Sequence, residues 1–103
     1  SSERVSTKAA KADRAEKSDN EERRERDKER KRVQSIIART EKQLAELEQE
    51  EKTLQALVMK SGTPAAEVQK GYERMGEVAQ RIAVVMKEWE DASLRAEELG
   101  AEK

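Results

Sequence analysis

The sequence predicts an all-α protein, an antiparallel two-helix coiled-coil hairpin with a disordered or frayed basic N-terminal extension. Three observations carry this expectation. The 103 residues are 44% charged, 34% hydrophobic and only 2% aromatic, whereas ordinary globular domains are about 25% charged and 45–50% apolar. Apolar residues recur at alternating steps of three and four on both sides of residue 63, and neither segment alternates with a period of two. Between those two seams a helix-stop residue, Gly62, directly precedes helix-start residues, Thr63 and Pro64.

From residue 1 to 20 alanine is the main apolar residue and Val5 the only branched one. Such a stretch buries too little to offset the entropy of ordering it, so it is expected to be a disordered tether. Residues 21–32, "EERRERDKERKR", contain no apolar side chain. Glu22 with Arg26 and Asp27 with Lys31 are i,i+4 pairs in the favourable order, each contributing about 0.2–0.5 kcal/mol. This segment is expected to be a charged helical extension.

The first coiled-coil helix is expected over 33–61. Its seam runs Val33, Ile37, Thr40, Leu44, Leu47, Glu51, Leu54, Val58, with Ile36 and Leu57 widening the stripe. At 62–64 comes a tight turn. Gly62 suits the left-handed conformation that closes a helix, Thr63 is a good N-cap, and Pro64 then occupies the first helical position, where its missing N–H costs nothing.

The second helix is expected over 65–99, with seam Val68, Tyr72, Met75, Ala79, Ile82, Met86, Trp89, Ser93 and Ala96. Val78, Val85 and Leu99 lie alongside it, and Gly100 is placed to close the helix. Short connections favour antiparallel neighbours. Pairing residues whose numbers sum to 126 sets Val58 on Val68, Leu54 on Tyr72, Leu47 on Ala79, Leu44 on Ile82 and Ile37 on Trp89. It also sets the polar seam residues Thr40 and Glu51 on Met86 and Met75. The expected core is therefore Val33, Ile37, Leu44, Leu47, Leu54, Val58, Val68, Tyr72, Met75, Ile82, Met86 and Trp89.

Composition excludes several kinds of chemistry. With no Cys and no His, disulfides, thiol nucleophiles, zinc-finger patterns and the commonest neutral-pH acid–base residue are absent. No apolar run approaches the roughly 18 residues of a membrane span, and no apolar signal segment leads the chain. A cytoplasmic location is the matching expectation. "KSGTP" shares Lys, Gly and Thr with a phosphate-binding loop but in the wrong order and spacing, and no strand precedes it. Trp89 lacks a convergent polar pocket and is read as a core ring. Helical glutamates without His are better explained by ion pairs such as Glu48–Lys52 and Glu77–Arg81 than by catalysis. No catalytic residue, metal ligand, cofactor or small-molecule substrate is expected.

The net charge of −1 conceals an asymmetry. Residues 1–32 hold 12 Lys/Arg against 9 Asp/Glu, while residues 33–103 hold 10 against 14. Seven of the ten residues from 23 to 32 are basic: Arg23, Arg24, Arg26, Lys28, Arg30, Lys31 and Arg32. They are the candidate nucleic-acid contacts, able to neutralise phosphates without reading bases, since no aromatic ring lies nearby for stacking. The alternative is a solvated helix whose interleaved acids cancel much of the field.

A charged lead-in, a first helix with "LAELEQE", a short Gly/Pro turn, "EV" opening a second amphipathic helix, and "KEWEDA" before a closing Glu/Leu stretch form a familiar succession. It resembles the C-terminal coiled-coil domain of ABC-F ATPases of the Uup type, over residues 21 to 100. Leu44 and Leu47 match the first-helix leucines of that family, Ser61-Gly62-Thr63-Pro64 its turn, and Trp89 its tryptophan. Glu88 stands where the family usually has a basic residue, and Ala92 where it usually has Leu. The resemblance implies a module of a larger ATPase, with the ATP-hydrolysing motifs outside this chain. It further implies contact with rRNA, tRNA or DNA, and with the ATPase domains of the same protein. The rival expectation is a scaffold coiled coil whose seams pair with a protein partner helix or a second copy, its polar seam residues Thr40 and Glu51 setting register.

Overall fold

A computed structural model describes the backbone of residues 2–101 and the side chains of residues 14–100. Two helices make up the described chain, α1 over Ser2–Met59 and α2 over Ala65–Ala101. The span of α1 contains neither glycine nor proline, the two residues that most disfavour a helix interior. The chain divides into two units, Ser1–Arg32 and Val33–Lys103.

In the first unit, residues 14–20 are exposed α-helix, although they fall within the expected tether. Alanine, lysine, arginine and glutamate are strong helix formers, and their propensity acts here without a buried face. The side chains of residues 1–13, the remainder of that expectation, lie outside those described.

The second unit is an antiparallel hairpin. Arg39 on α1 pairs with Glu88 on α2 at 2.9 Å, and Glu50 on α1 with Arg74 on α2 at 2.6 Å. The residue numbers in these pairs sum to 127 and 124, which brackets the expected 126. On α1 the seam residues Val33 and Thr40 are buried, and Ile37, Leu44, Leu47, Glu51, Leu54 and Val58 are half-buried. Val33, Ala92 and Leu99 form a buried cluster, with Ile36, Ile37 and Ala96 packed against it.

On α2 the buried face differs from the expected one by a single position. Gly71, Val78, Val85, Ala92 and Leu99, spaced seven apart, are the buried residues, and Val68, Met75, Ile82, Trp89 and Ala96 flank them half-buried. Tyr72 and Met86, both expected in the core, are exposed at 59% and 38%. The pairings of Leu54 with Tyr72, Leu47 with Ala79 and Thr40 with Met86 are therefore replaced by the adjacent column. Two physical reasons stand out. Val78 and Val85 are wholly buried, β-branched side chains with few rotamers to lose. Gly71 lets the helices approach, because a Cβ there would lie 2.7 Å from Val58 Cγ1.

Thr40 is fully buried, yet its hydroxyl donates to the carbonyls of Ile36 at 2.8 Å and Ile37 at 3.0 Å. A threonine satisfied by its own helix needs no polar partner across the seam.

The turn occupies residues 60–64. Gly62 has φ of 86°, the left-handed conformation that glycine adopts without steric cost. Helix α1 ends at Met59, two residues before the expected 61, and the Thr63 amide donates back to the Lys60 carbonyl at 3.4 Å. The roles of Thr63 and Pro64 are shifted from those expected. The Thr63 hydroxyl donates to the Leu57 carbonyl at 3.1 Å, so it serves the C-terminus of α1. Pro64 takes the N-cap place. Its carbonyl accepts from the amides of Glu67 at 3.0 Å and Val68 at 3.1 Å, which close the first turn of α2. Glu67 adds a carboxylate where the helix dipole favours negative charge. At its other end α2 continues through Gly100 to Ala101 and does not stop at Leu99.

Candidate functional site

The seven candidate cations all lie on α1 in the Ser1–Arg32 unit. Arg23, Arg24, Lys28, Lys31 and Arg32 are exposed, and Arg26 and Arg30 are half-buried. Two ion pairs at i,i+3 spacing hold part of this segment, Lys28 with Glu25 at 3.5 Å and Arg30 with Asp27 at 2.8 Å. Pairs at that exposure contribute little, about 0–1 kcal/mol each.

An α-helix turns about 100° per residue, and that rotation sorts the charges. Glu22, Glu25 and Glu29, at steps of three and four, share one strip. Arg24, Lys28 and Lys31, at steps of four and three, share another, and Arg23, Arg26 and Arg30 share a third. Three of the five acids of residues 21–32 thus gather on one strip, while Glu21 and Asp27 fall among the cations and Asp27 pairs with Arg30. A helix face carrying three aligned cations suits a polyanion, whose charge repeats regularly along its length.

The hairpin unit carries a different pattern. Arg74 uses Nε and one Nη to hold both carboxylate oxygens of Glu50, at 2.6 and 3.1 Å, and its other Nη to hold Glu77 at 2.9 Å. Glu77, expected to pair with Arg81, thus accepts from Arg74. Hydrogen bonding by Arg74 pulls the Glu50 carboxyl below its ordinary range, more than desolvation raises it, and the two carboxylates hold Arg74 firmly in its charged form. Glu88 is the acceptor of Arg39 across the hairpin. Both interhelical pairs act as register clamps.

Two shallow grooves open on this unit. One, of about 230 Å³, is lined by Gln43, Glu46, Leu47, Glu50 and Arg81. The other, of about 330 Å³ and largely apolar, is lined by Leu54, Leu57, Glu67, Lys70, Gly71 and Arg74. Neither brings together a nucleophile and a base. Among the described residues no cluster of three or more His, Cys, Asp or Glu is placed to hold a metal ion. No helix is long and apolar enough to cross a membrane among those residues. Trp89 is half-buried, and its indole Nε1 is enclosed without a hydrogen-bond partner. Its ring belongs to the flank of the seam.

Comparison with protein-family models, with curated proteins and with solved structures finds no match for this chain.

Proposed function

We propose that this chain is a non-catalytic helical-hairpin module that contacts nucleic acid through the basic segment 23–32. The observation that carries the reading is the alignment of Arg24, Lys28 and Lys31 on one strip of α1 and of Glu22, Glu25 and Glu29 on another. A helix with three aligned cations can lay them along a phosphate backbone and make contact independent of sequence. The resemblance of residues 21–100 to the C-terminal domain of ABC-F ATPases supports the same reading. In that frame the hairpin serves a larger ATPase whose hydrolytic parts lie outside this chain, and the polyanion is ribosomal RNA, transfer RNA or DNA.

The test is fluorescence anisotropy with labelled single-stranded and duplex oligonucleotides of RNA and DNA. Reversing Arg23, Arg24, Lys31 and Arg32 to glutamate together should abolish binding, while circular dichroism retains the helical spectrum. Unchanged affinity in the reversed protein would overturn the proposal. Oligonucleotides of unrelated sequence should bind with similar affinity, because nothing in the segment stacks on or reads a base.

A further inference from the structure

The flank of α2 beside its buried column carries a second heptad seam that the hairpin leaves exposed. Tyr72, Gly76, Ala79, Ala83 and Met86 follow one another at steps of four, three, four and three, and all are exposed. Tyr72 is 59% and Met86 38% exposed, and the space over Gly76 is empty. A seam of this spacing is the signature of a helix packed on a partner helix.

We infer that this face pairs with the same face of a second copy, α2 antiparallel to α2, to make a four-helix dimer. The argument is self-complementarity about a two-fold axis near residues 80 and 81. In that alignment Met86 of one copy lies over Gly76 of the second, a large side chain over an open position. Ala79 meets Ala83, which lets the backbones approach, and the Tyr72 phenol reaches the level of the Glu90 carboxylate. A neighbouring column of α2, spaced seven apart, runs Ala66, Glu73, Gln80, Lys87 and Leu94. Reversed against itself, it sets Glu73 beside Lys87, Gln80 beside Gln80, and Leu94 beside Ala66. Leu94, 58% exposed in the single chain, thereby gains apolar cover. Opposite charges thus meet twice, small residues meet large ones, and no like charges meet along this column, as an isologous interface requires. A parallel pairing would set Glu73 on Glu73 and Lys87 on Lys87, and it is disfavoured on that ground. This inference stands on residues of α2 alone and does not depend on nucleic-acid contact through α1.

Sedimentation velocity of the full chain over a wide concentration range tests it. The expected result is a reversible monomer–dimer equilibrium. Ala79→Glu should weaken dimerisation by about tenfold or more, because it buries an unpaired charge in the seam. Thermal unfolding of the dilute monomer should change little in that variant, since Ala79 is exposed in the hairpin. Glu73→Lys alone should weaken the dimer, Lys87→Glu alone should do the same, and the double swap should restore it. A monomer at every concentration would overturn the inference. So would a dimer indifferent to Ala79→Glu, which would mean that the inner seams pair between chains, or single charge reversals that the double swap fails to rescue.

Discussion

Two glycines of the same helix allow the packing of α2 on α1 to be measured with one substitution made twice. Gly76 has nothing within 4 Å of where a Cβ would stand, whereas a Cβ on Gly71 would lie 2.7 Å from Val58 Cγ1 and 3.7 Å from a Leu57 methyl. Replacing a helix-interior glycine by alanine gains about 0.8–1.0 kcal/mol of helix propensity, and that gain is common to both sites. At Gly71 it is opposed by steric overlap. Carbon atoms rest about 3.5–4.0 Å apart, so the new methyl group intrudes by roughly 1 Å. Val58 is β-branched, with one strongly preferred rotamer in a helix, and cannot swing aside cheaply. Overpacking of this kind costs about 1–3 kcal/mol. Gly76→Ala should therefore stabilise the dilute protein by about 1 kcal/mol, and Gly71→Ala should destabilise it by about 0–2 kcal/mol. Urea unfolding followed by far-ultraviolet circular dichroism resolves that difference. For a unit of this size it also corresponds to a gap of several degrees in Tm, since about 1 kcal/mol moves Tm by roughly 4–8 °C. Combining Gly71→Ala with Val58→Ala should recover much of the loss, a favourable coupling in the double-mutant cycle. Equal stabilisation at both glycines would refute the close approach of α2 to Val58, and with it the buried column built on Gly71.

Other expectations follow from the turn, the clamp and the buried threonine. Gly62→Ala places a side chain at φ of 86°, and should cost about 1–2 kcal/mol of stability in the same urea assay; a neutral result would mean that the turn relaxes to another conformation. Glu50 has its folded pKa lowered by Arg74, so the stabilisation from this pair is present above the ordinary carboxylate range and is lost as pH falls through the lowered folded value. Glu50→Gln should accordingly lower Tm at pH 7, and the gap to the unaltered protein should begin to narrow below the ordinary carboxylate range and close only below the lowered folded value; a gap that stays constant through that acid range would refute the ionic contribution. Thr40→Val should leave stability within about 1.5 kcal/mol, because the lost hydroxyl bonds run only to carbonyls of its own helix; a larger loss in urea unfolding would show that the hydroxyl supports the seam from α1 to α2.

The hairpin and its approximate register were legible in the sequence because they rest on local rules. Gly62 announced a left-handed residue, and the seams on either side of it fixed the pairing to within a few positions. The buried face of α2 was not legible to the same accuracy. Tyr72, Ala79 and Met86 continue the heptad as regularly as Gly71, Val78 and Val85 do, since α2 carries apolar or small residues in both of these adjacent columns. Side-chain size favours the exposed column, because an interior glycine reads as a weak helix position and a tyrosine as core. The usable signal was Gly71 itself: a mid-helix glycine aligned with two valines at seven-residue spacing marks a close contact. Thr63 was misplaced for a related reason. Its hydroxyl suits either helix end, and only the fold of the turn brings the Leu57 carbonyl within reach. In the basic segment the cations are plain in the sequence, while the alignment of Arg24, Lys28 and Lys31 on one strip follows only from a continuous helix.

The central claim, that segment 23–32 engages nucleic acid through phosphates, is tested most directly by the salt dependence of binding. If four phosphates of a duplex are neutralised, affinity should fall about 150-fold between 50 and 200 mM salt, following a logarithmic slope near −0.9 per contact. The protein with Arg23, Arg24, Lys31 and Arg32 reversed should show no measurable binding at either salt. A shallow slope in the unaltered protein, or an equally steep one after reversal, would contradict the account.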